Sequence, residues 1–313
     1  MIVVTGGAGF IGSNIVKALN QRNRKDLIVV DDMTAGDKFS NLVDCEIADY
    51  LDIEEFRNDI ANDAIQPPPE VIFHNGACSS TTEMNGKYML DANYTMSKEL
   101  LHYCARNSVR LIYASSAAVY GTSSCPRSEA PLNIYGYSKM LFDRYTKTRA
   151  PPSQLVGLRY FNVYGPREQH KGPMASIVYQ MYRQLRQDSV IKLFGAHAGY
   201  EAGMQKRDFV HVDDVVKVNL FFLDNPSCSG TFDVGKGQAD TFFDLATEVQ
   251  EFGGAPSGCL DFVPFPTHLK GRYQHFTCAD ISGLRQVGFR DEFKPIAQGV
   301  GEYLTWLEKQ EPV

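Results

Sequence analysis

The 313-residue chain predicts an α/β fold, a doubly wound parallel sheet with a second, smaller mixed α/β lobe. Three observations lead there. Short apolar runs alternate with helical patterns over the first half, a glycine-rich turn joins the first run to the first helix, and the texture changes beyond Gly165. Parallel strands buried on both faces read as continuous apolar runs, and each needs a crossover helix to reach the next.

Residues 1–5 are the first such strand, followed by a helix over Phe10–Gln21. Leu27–Asp31 is the second strand. A weaker one is expected over 42–47, and another over 71–76 after the Pro67-Pro68-Pro69 loop. A long helix over 86–106 precedes a strand at 109–116, a helix at 134–149 and the strand Leu155–Tyr160. Glycines, prolines and charged loops at 165–172 and 195–207 then interrupt shorter elements. Residues 208–235 return to the sheet, with a helix over 213–223 and the strand Gly230–Val234. The expected division is 1–166 plus 208–236 for the sheet domain. The remainder, 167–207 plus 237–313, forms the lobe closing over its C-terminal edge.

Hydrophobic residues make up 43% and charged residues 22%, a globular balance. Lys plus Arg (31) against Asp plus Glu (37) gives a net charge of −6, which argues against a nucleic-acid binder. No run approaches the ~20 apolar residues that span a bilayer. The N-terminus enters a strand without a basic leader or cleavage site, so a cytoplasmic protein without membrane attachment is expected. Cys45, Cys78, Cys104, Cys125, Cys228, Cys259 and Cys278 are odd in number and scattered, and read as reduced thiols rather than a disulfide frame or zinc site.

Thr5-Gly6-Gly7-Ala8-Gly9-Phe10-Ile11-Gly12 follows a strand and opens a helix. Its glycines permit a tight turn and let backbone N–H groups approach a pyrophosphate at the helix N-terminus. Asp31 ends the second strand roughly 20 residues on, where it can accept from an adenosine ribose. This is the dinucleotide-binding fingerprint of a Rossmann sheet. Asp31 and Asp32 would repel a 2′-phosphate, whereas Lys38 would neutralise one, so NADP and NAD both stay open.

Tyr135 and Lys139 lie four residues apart on one face of a predicted helix. A tyrosine is a poor base at neutral pH, and a neighbouring ammonium brings its pKa toward the working range. The same lysine can hold a nicotinamide ribose. Upstream, Ser115-Ser116-Ala117 ends an apolar strand, and Ser116 could hydrogen-bond the reacting oxygen beside Tyr135.

On these motifs the chain resembles the extended short-chain dehydrogenase/reductases, which act largely on nucleotide sugars. Asn75-Gly76-Ala77, the string Arg159–Arg167 and the string Arg207–Asp214 extend the likeness over nearly the whole length. Within them it resembles the ADP-L-glycero-D-manno-heptose 6-epimerases, through the strings 74–83, 98–104, 170–176 and 269–274. The resemblance implies epimerisation at C6 of ADP-heptose by transient oxidation and re-reduction, for lipopolysaccharide inner-core precursors. It implies bound NADP, with NAD the alternative, and a homo-oligomer such as a homopentamer.

By the same resemblance Tyr135 and Lys171 are opposing acid/bases, supported by Ser116 and Lys139. Gly6, Gly9, Phe10, Ile11, Gly12, Asp31, Asp32, Lys38, Asn75, Gly76, Ala77, Cys78, Ser79 and Asn93 line the cofactor with Tyr135 and Lys139. Ser116, Asn162, Val163, Phe194, Arg207 and Tyr273 meet the substrate. From residue type alone, Lys171 is a solvated loop lysine, and Arg207 pairs with Asp208 or Asp213 unless it clamps a diphosphate. His74 and Trp306 read as packing. His170 and His211 lack companions at metal spacing, and Cys78 lacks a base, so no metal or thiol chemistry is expected. A UDP-hexose 4-epimerase and a non-catalytic nucleotide-binding scaffold are the competing readings.

Overall fold

The computed structural model describes residues 1–122, 128–149, 153–255, 258–269, 271 and 273–310. Seven parallel strands form the main sheet: β1 (Ile2–Thr5), β2 (Leu27–Asp31), β3 (Asp49–Asp52), β4 (Val71–His74), β5 (Arg110–Ser116), β6 (Leu155–Tyr160) and a last strand, Gly230–Val234. Their spatial order is Gly230–Val234, β6, β5, β4, β1, β2, β3. The chain therefore starts in mid-sheet, winds out through β2 and β3, and crosses back to β4. The order reverses between β1 and β4, and crevices at such switch points hold ligands.

The first helix, α1 (Phe10–Gln21), buries Phe10, Ile15, Val16 and Leu19, the spacing of a single helical stripe. It packs on α7 (Val212–Asp224). Between these come α2 (Ile53–Ala61), α3 (Gly86–Leu90), α4 (Met96–Asn107), α5 (Ile134–Thr146) and α6 (Ile177–Asp188). Two findings differ from expectation. The strand predicted over 42–47 is absent. Leu42, Cys45 and Ile47 lean on the core from a turn, and the strand forms later at β3, where Tyr50 and Leu51 alternate along an edge. The helix predicted over 86–106 is broken by a π turn, Asp91–Thr95, which draws Asn93 inward.

Beyond β6 run β7 (Asn162–Tyr164), β8 (Ile191–Phe194), β9 (Lys206–Arg207) and β10 (Phe209–His211), with β11 the sheet's last strand, Gly230–Val234. They are followed by β12 (Asp240–Thr241), α8 (Phe242–Phe252), β13 (Leu260–Val263), α9 (Ser282–Gln286) and α10 (Ile296–Gln310). A separate apolar cluster joins Val178, Met181, Ile191, Leu245, Val249, Tyr303 and Leu304 from α6, β8, α8 and α10. Leu284, Phe289 and Phe293 instead pack in the sheet's own core with Val156 and Phe232. Among the described residues no disulfide forms. None of the helices searched there is long and apolar enough to cross a membrane.

Candidate active site

The C-terminal ends of β1 and β4 bring the two glycine-bearing turns together. Thr5 lies opposite His74 in the register, and its Oγ1 meets His74 Nδ1 at 2.7 Å. His74 Nε2 meets Ser97 Oγ at 2.9 Å, and burial pushes the imidazole down to about 3. It is a neutral structural residue, as the sequence reading held.

Gly9 caps α1 without a side-chain bond, leaving the helix N-terminus to the turn's own backbone. A Cβ on Gly12 would run into the carbonyl oxygen of Gly6. The turn thus has the shape that admits a pyrophosphate to the helix end, and the residues fit a dinucleotide. Gly12→Ala should shift this turn at about 1–3 kcal/mol, a roughly 5- to 150-fold loss of dinucleotide affinity. Fluorescence titration with the reduced dinucleotide checks it.

Asp31, buried, accepts from Ala8 N at 2.8 Å and Asp32 N at 2.8 Å. Its remaining partner is Lys38, whose Nζ lies 2.8 Å from Asp31 Oδ1 and 2.7 Å from Asp32 O. Asp32 is exposed, and its carboxyl is held below the usual range by Thr34. The cation and the acid that were expected to pull cofactor choice in opposite directions are therefore paired with each other.

Asn75, Gly76, Ala77 and Cys78 are half-buried after β4, and Ser79 is exposed. Asn93 was expected to touch the cofactor. It is 1% exposed, with Oδ1 accepting from Cys78 N (2.8 Å) and Nδ2 donating to Cys78 O (3.0 Å) and Ser138 Oγ (3.0 Å). Its amide is consumed in fastening the 75–79 loop to α5, because the π turn rotates it into the protein.

Asn133 caps α5 by accepting from Gly136 N at 2.8 Å. Gly136 packs so closely that a Cβ would meet Ala118 O at 2.6 Å. That contact sets Tyr135 against the turn that ends β5, where its phenol faces the Ser116 hydroxyl. Ser116 Oγ also accepts from Ala118 N at 3.1 Å. One helical turn on, Lys139 is buried and donates to Ala114 O at 2.9 Å.

Burial brings the Lys139 amine down to about 8, with Asp143 pulling the other way. Burial also raises the Tyr135 phenol, which the Ser116 hydroxyl opposes. The expected lowering of the phenol by Lys139 is not what dominates. Desolvation sets the direction, and the Lys139 amine is turned to the Ala114 carbonyl.

Beneath Lys139 lies a network that sequence reasoning missed. Asp143, fully buried, accepts from Ser115 Oγ (2.9 Å), Tyr113 Oη (3.1 Å) and Arg159 Nε (2.8 Å). Arg159 also donates to Tyr120 Oη (2.8 Å) and Glu129 (2.6 Å). The four-residue step from Lys139 to Asp143 on one helix face was the available signal.

Lys171 lies on a 3-10 turn, Gln169–Met174, half-buried, with its ammonium 5.6 Å from the centre of the Phe10 ring. It is not solvated on the surface, and burial lowers its pKa while Glu168 opposes. Glu168, fully buried, accepts from Gly165 N (3.2 Å) and Ser176 Oγ (2.7 Å), closing the base of this loop. Arg167 forks onto Asp44 (2.7 and 2.8 Å), and His170 Nδ1 meets Asn41 Nδ2 at 3.1 Å. The Lys171 loop is thereby bolted to the segment that carries Lys38. No sequence signal marked Glu168.

Arg207 is 5% exposed, and among the described residues no carboxylate is in ion-pair reach. Asp208 is saturated by the backbone N–H groups of Lys236 (2.6 Å), Gly237 (2.9 Å) and Ala279 (2.9 Å), and Asp213 pairs with Lys294 (2.7 Å). Both ion-pair alternatives for Arg207 are thus excluded. Its guanidinium lies 4.7 Å from the centre of the Tyr273 ring, and Tyr273 stands edge-on to Phe194 at 6.1 Å. Asn162 and Val163 pair with Phe209 and Val210 two residues away. Lys270 and Arg272, from the 269–274 string, lie outside the described residues, as does Cys125. Gln274 reaches Gly121 O at 2.6 Å, linking that string to the Ser116 turn.

His211, Asp213 and Glu302 gather their ligand atoms within 4.8 Å, but Lys294 bonds both carboxylates, so the group is an ion-pair cluster.

A switch-point crevice with a glycine turn, a strand-end serine and a Tyr-Lys helix defines a nucleotide-dependent oxidoreductase-type site. The chain belongs to the NAD dependent epimerase/dehydratase family, within the extended short-chain dehydrogenase/reductases, the family model matching residues 2–235. It is similar to the ADP-L-glycero-D-manno-heptose-6-epimerase of Helicobacter pylori, at 28% identity over 98% of this chain and 96% of that one, with a TM-score of 0.85. The UDP-glucose 4-epimerase of Thermotoga maritima, solved with UDP-glucose, is 25% identical over 98% of both chains, TM-score 0.80. The UDP-N-acetylglucosamine 4-epimerase of Methanobrevibacter ruminantium shares the fold at 24% identity, covering 99% and 98%, TM-score 0.84.

Proposed function

We propose that the protein epimerises C6 of the heptose in ADP-glycero-manno-heptose, D-glycero to L-glycero, for lipopolysaccharide inner-core precursors. The observation that carries this reading is a second protonatable group. Lys171, half-buried and free of any ion pair within 4 Å among the described residues, stands by Phe10 at the mouth of the glycine turn. The likeness to the Helicobacter pylori enzyme supports the same choice.

Gly6, Gly9, Phe10, Ile11, Gly12, Asp31, Asp32, Lys38 and the 75–79 loop would hold a nicotinamide dinucleotide, with Tyr135 and Lys139 at its reactive end. Bound there, it supplies reversible hydride acceptance. Tyr135, backed by Ser116, takes and returns the hydroxyl proton on one face of C6, and Lys171 serves the other. Lys139 supplies positive charge beside Tyr135 when protonated. Arg207 grips the diphosphate, with Asn162, Val163, Phe194 and Tyr273 around the remainder of the substrate.

NADP is the proposed form, resting on Lys38, with NAD the alternative. Mass spectrometry of nucleotide released on denaturation decides between them, and NAD alone would overturn NADP. Residence in the cytoplasm, homo-oligomeric assembly and the division into a sheet domain and a substrate lobe complete the proposal.

The reaction is tested by NMR of the protein with ADP-heptose of one C6 configuration and no added cofactor. Appearance of the other epimer is expected. No conversion, even with NADP and NAD supplied, would sink this reading. Conversion of UDP-glucose in its place would favour the 4-epimerase reading.

A further inference from the structure

Between β8 and β9 the 195–206 loop folds back on itself, His197 and Tyr200 exchanging backbone hydrogen bonds of 3.0 and 3.1 Å. This places the His197 ring against Phe265, centroids 3.9 Å apart and nearly parallel at 11°. Residues 275–277 run beside β9, with Lys206 N donating to His275 O (3.0 Å) and Thr277 N to Lys206 O (3.2 Å). The two segments meet at the imidazoles. His197 Nδ1 is 2.9 Å from His275 Nε2, and His275 lies 5.1 Å, centroid to centroid, from Tyr273, the ring that Arg207 covers.

We propose that His197 and His275 form a proton-accepting pair that completes, with Arg207, the anion site for the diphosphate of a nucleotide sugar, so that binding takes up a proton. The inference rests on the reading of Arg207 as the diphosphate clamp. A nitrogen-to-nitrogen contact of this length needs one hydrogen between the rings. A singly protonated pair keeps that N–H···N bond and shares one charge. A doubly protonated pair loses the bond and sets two cations in contact, so the pair accepts one proton and refuses a second.

Among the described residues, the groups around the pair are Arg207, Tyr200 and Tyr273, with Glu201 and Lys206 exposed on the same loop and strand. No acid is within ion-pair reach of Arg207 or the two histidines there. Burial, His197 and Arg207 all hold His275 below its ordinary value. An anion bound on Arg207 cancels part of that repulsion and raises the pair's affinity for a proton. Nucleotide-sugar affinity is therefore highest at low pH, where the pair is protonated. It falls by up to ~10-fold per pH unit between the free and bound pKa values, and levels off above.

Calorimetry with ADP-glucose and UDP-glucose tests this, since a diphosphate diester does not itself titrate near neutrality. Heats measured near pH 7 in buffers of different ionisation enthalpy give the proton count. The wild type should take up a fraction of one proton. His275→Phe and His197→Phe, which keep a flat ring, should still bind but take up none, with affinity flat from pH 6 to 8. Unchanged uptake in both variants overturns the proposal and leaves the clamp intact. Failure of either sugar nucleotide to bind the wild type overturns the clamp and the proposal with it. If neither variant folds, NMR titration of the wild-type imidazoles replaces them. A pKa that rises with ADP-glucose supports the pair, and one that does not move overturns it.

Discussion

Replacing Tyr135 with phenylalanine is expected to lower turnover by about 10²–10⁴-fold while leaving dinucleotide affinity within a few-fold of wild type. The phenol faces Ser116 at the end of β5, and its loss removes a proton carrier without opening a cavity, since the ring remains. Lys171→Met should be comparably slow for a different reason. It removes the group beside Phe10 and leaves the Tyr135 side of the site intact. The pair is separated by following solvent-independent reduction of the bound dinucleotide in a single turnover. If Tyr135 and Lys171 serve opposite faces, each variant should be slow with one C6 epimer and near normal in that first step with the other. Full activity in Tyr135→Phe would end the acid/base assignment. Equal impairment of both epimers in both variants would end the division of labour.

Arg159→Met should destabilise the protein by about 3–5 kcal/mol, because it strips the guanidinium from the fully buried Asp143 carboxylate, whereas the half-buried Glu129 keeps Arg144 at 2.9 Å. Asp143 is fully buried, and Glu129 and Tyr120 lose the same partner. Urea unfolding followed by circular dichroism reads the change as a lower midpoint. Arg159→Lys should recover only part of it, since an ammonium cannot fork to three acceptors in one plane. The effect reaches the site as well. Asp143 raises the Lys139 pKa against burial, and Lys139 bonds the Ala114 carbonyl one residue before Ser115. A variant as stable as wild type would show that the network is solvated and not a buried ion cluster.

What was legible in the sequence is what short-range chemistry writes into it. Phe10–Gln21, Leu27–Asp31, Leu155–Tyr160 and Gly230–Val234 have the bounds their apolar spacing predicts. The reason is that burial on both faces, or on one stripe, selects residue type at every position. The glycine turn, the strand-end serine and the Tyr-Lys helix step were legible because each needs a local backbone shape or a fixed helical offset. The edge strand was misplaced, by contrast, since β3 is half exposed and its alternation is weak. The π turn was invisible because one extra residue in a helix leaves no compositional trace, yet it brings the Asn93 amide onto the 75–79 loop.

The sequence by itself determined the doubly wound parallel sheet apart from its edge strand, and put Ser116 at a strand end and Tyr135 and Lys139 on one helix, all set by contacts within one element or its neighbour. Only the tertiary structure decided which charges are paired. Lys38 is bound to Asp31, Asp208 is filled by three backbone N–H groups, and Arg207 is left buried without an acid among the described residues. Likewise it alone brought His197 to His275 across 78 positions and closed the Lys171 loop on Glu168. A charge's role depends on distance and burial, and both are properties of the folded chain that residue type and spacing do not carry.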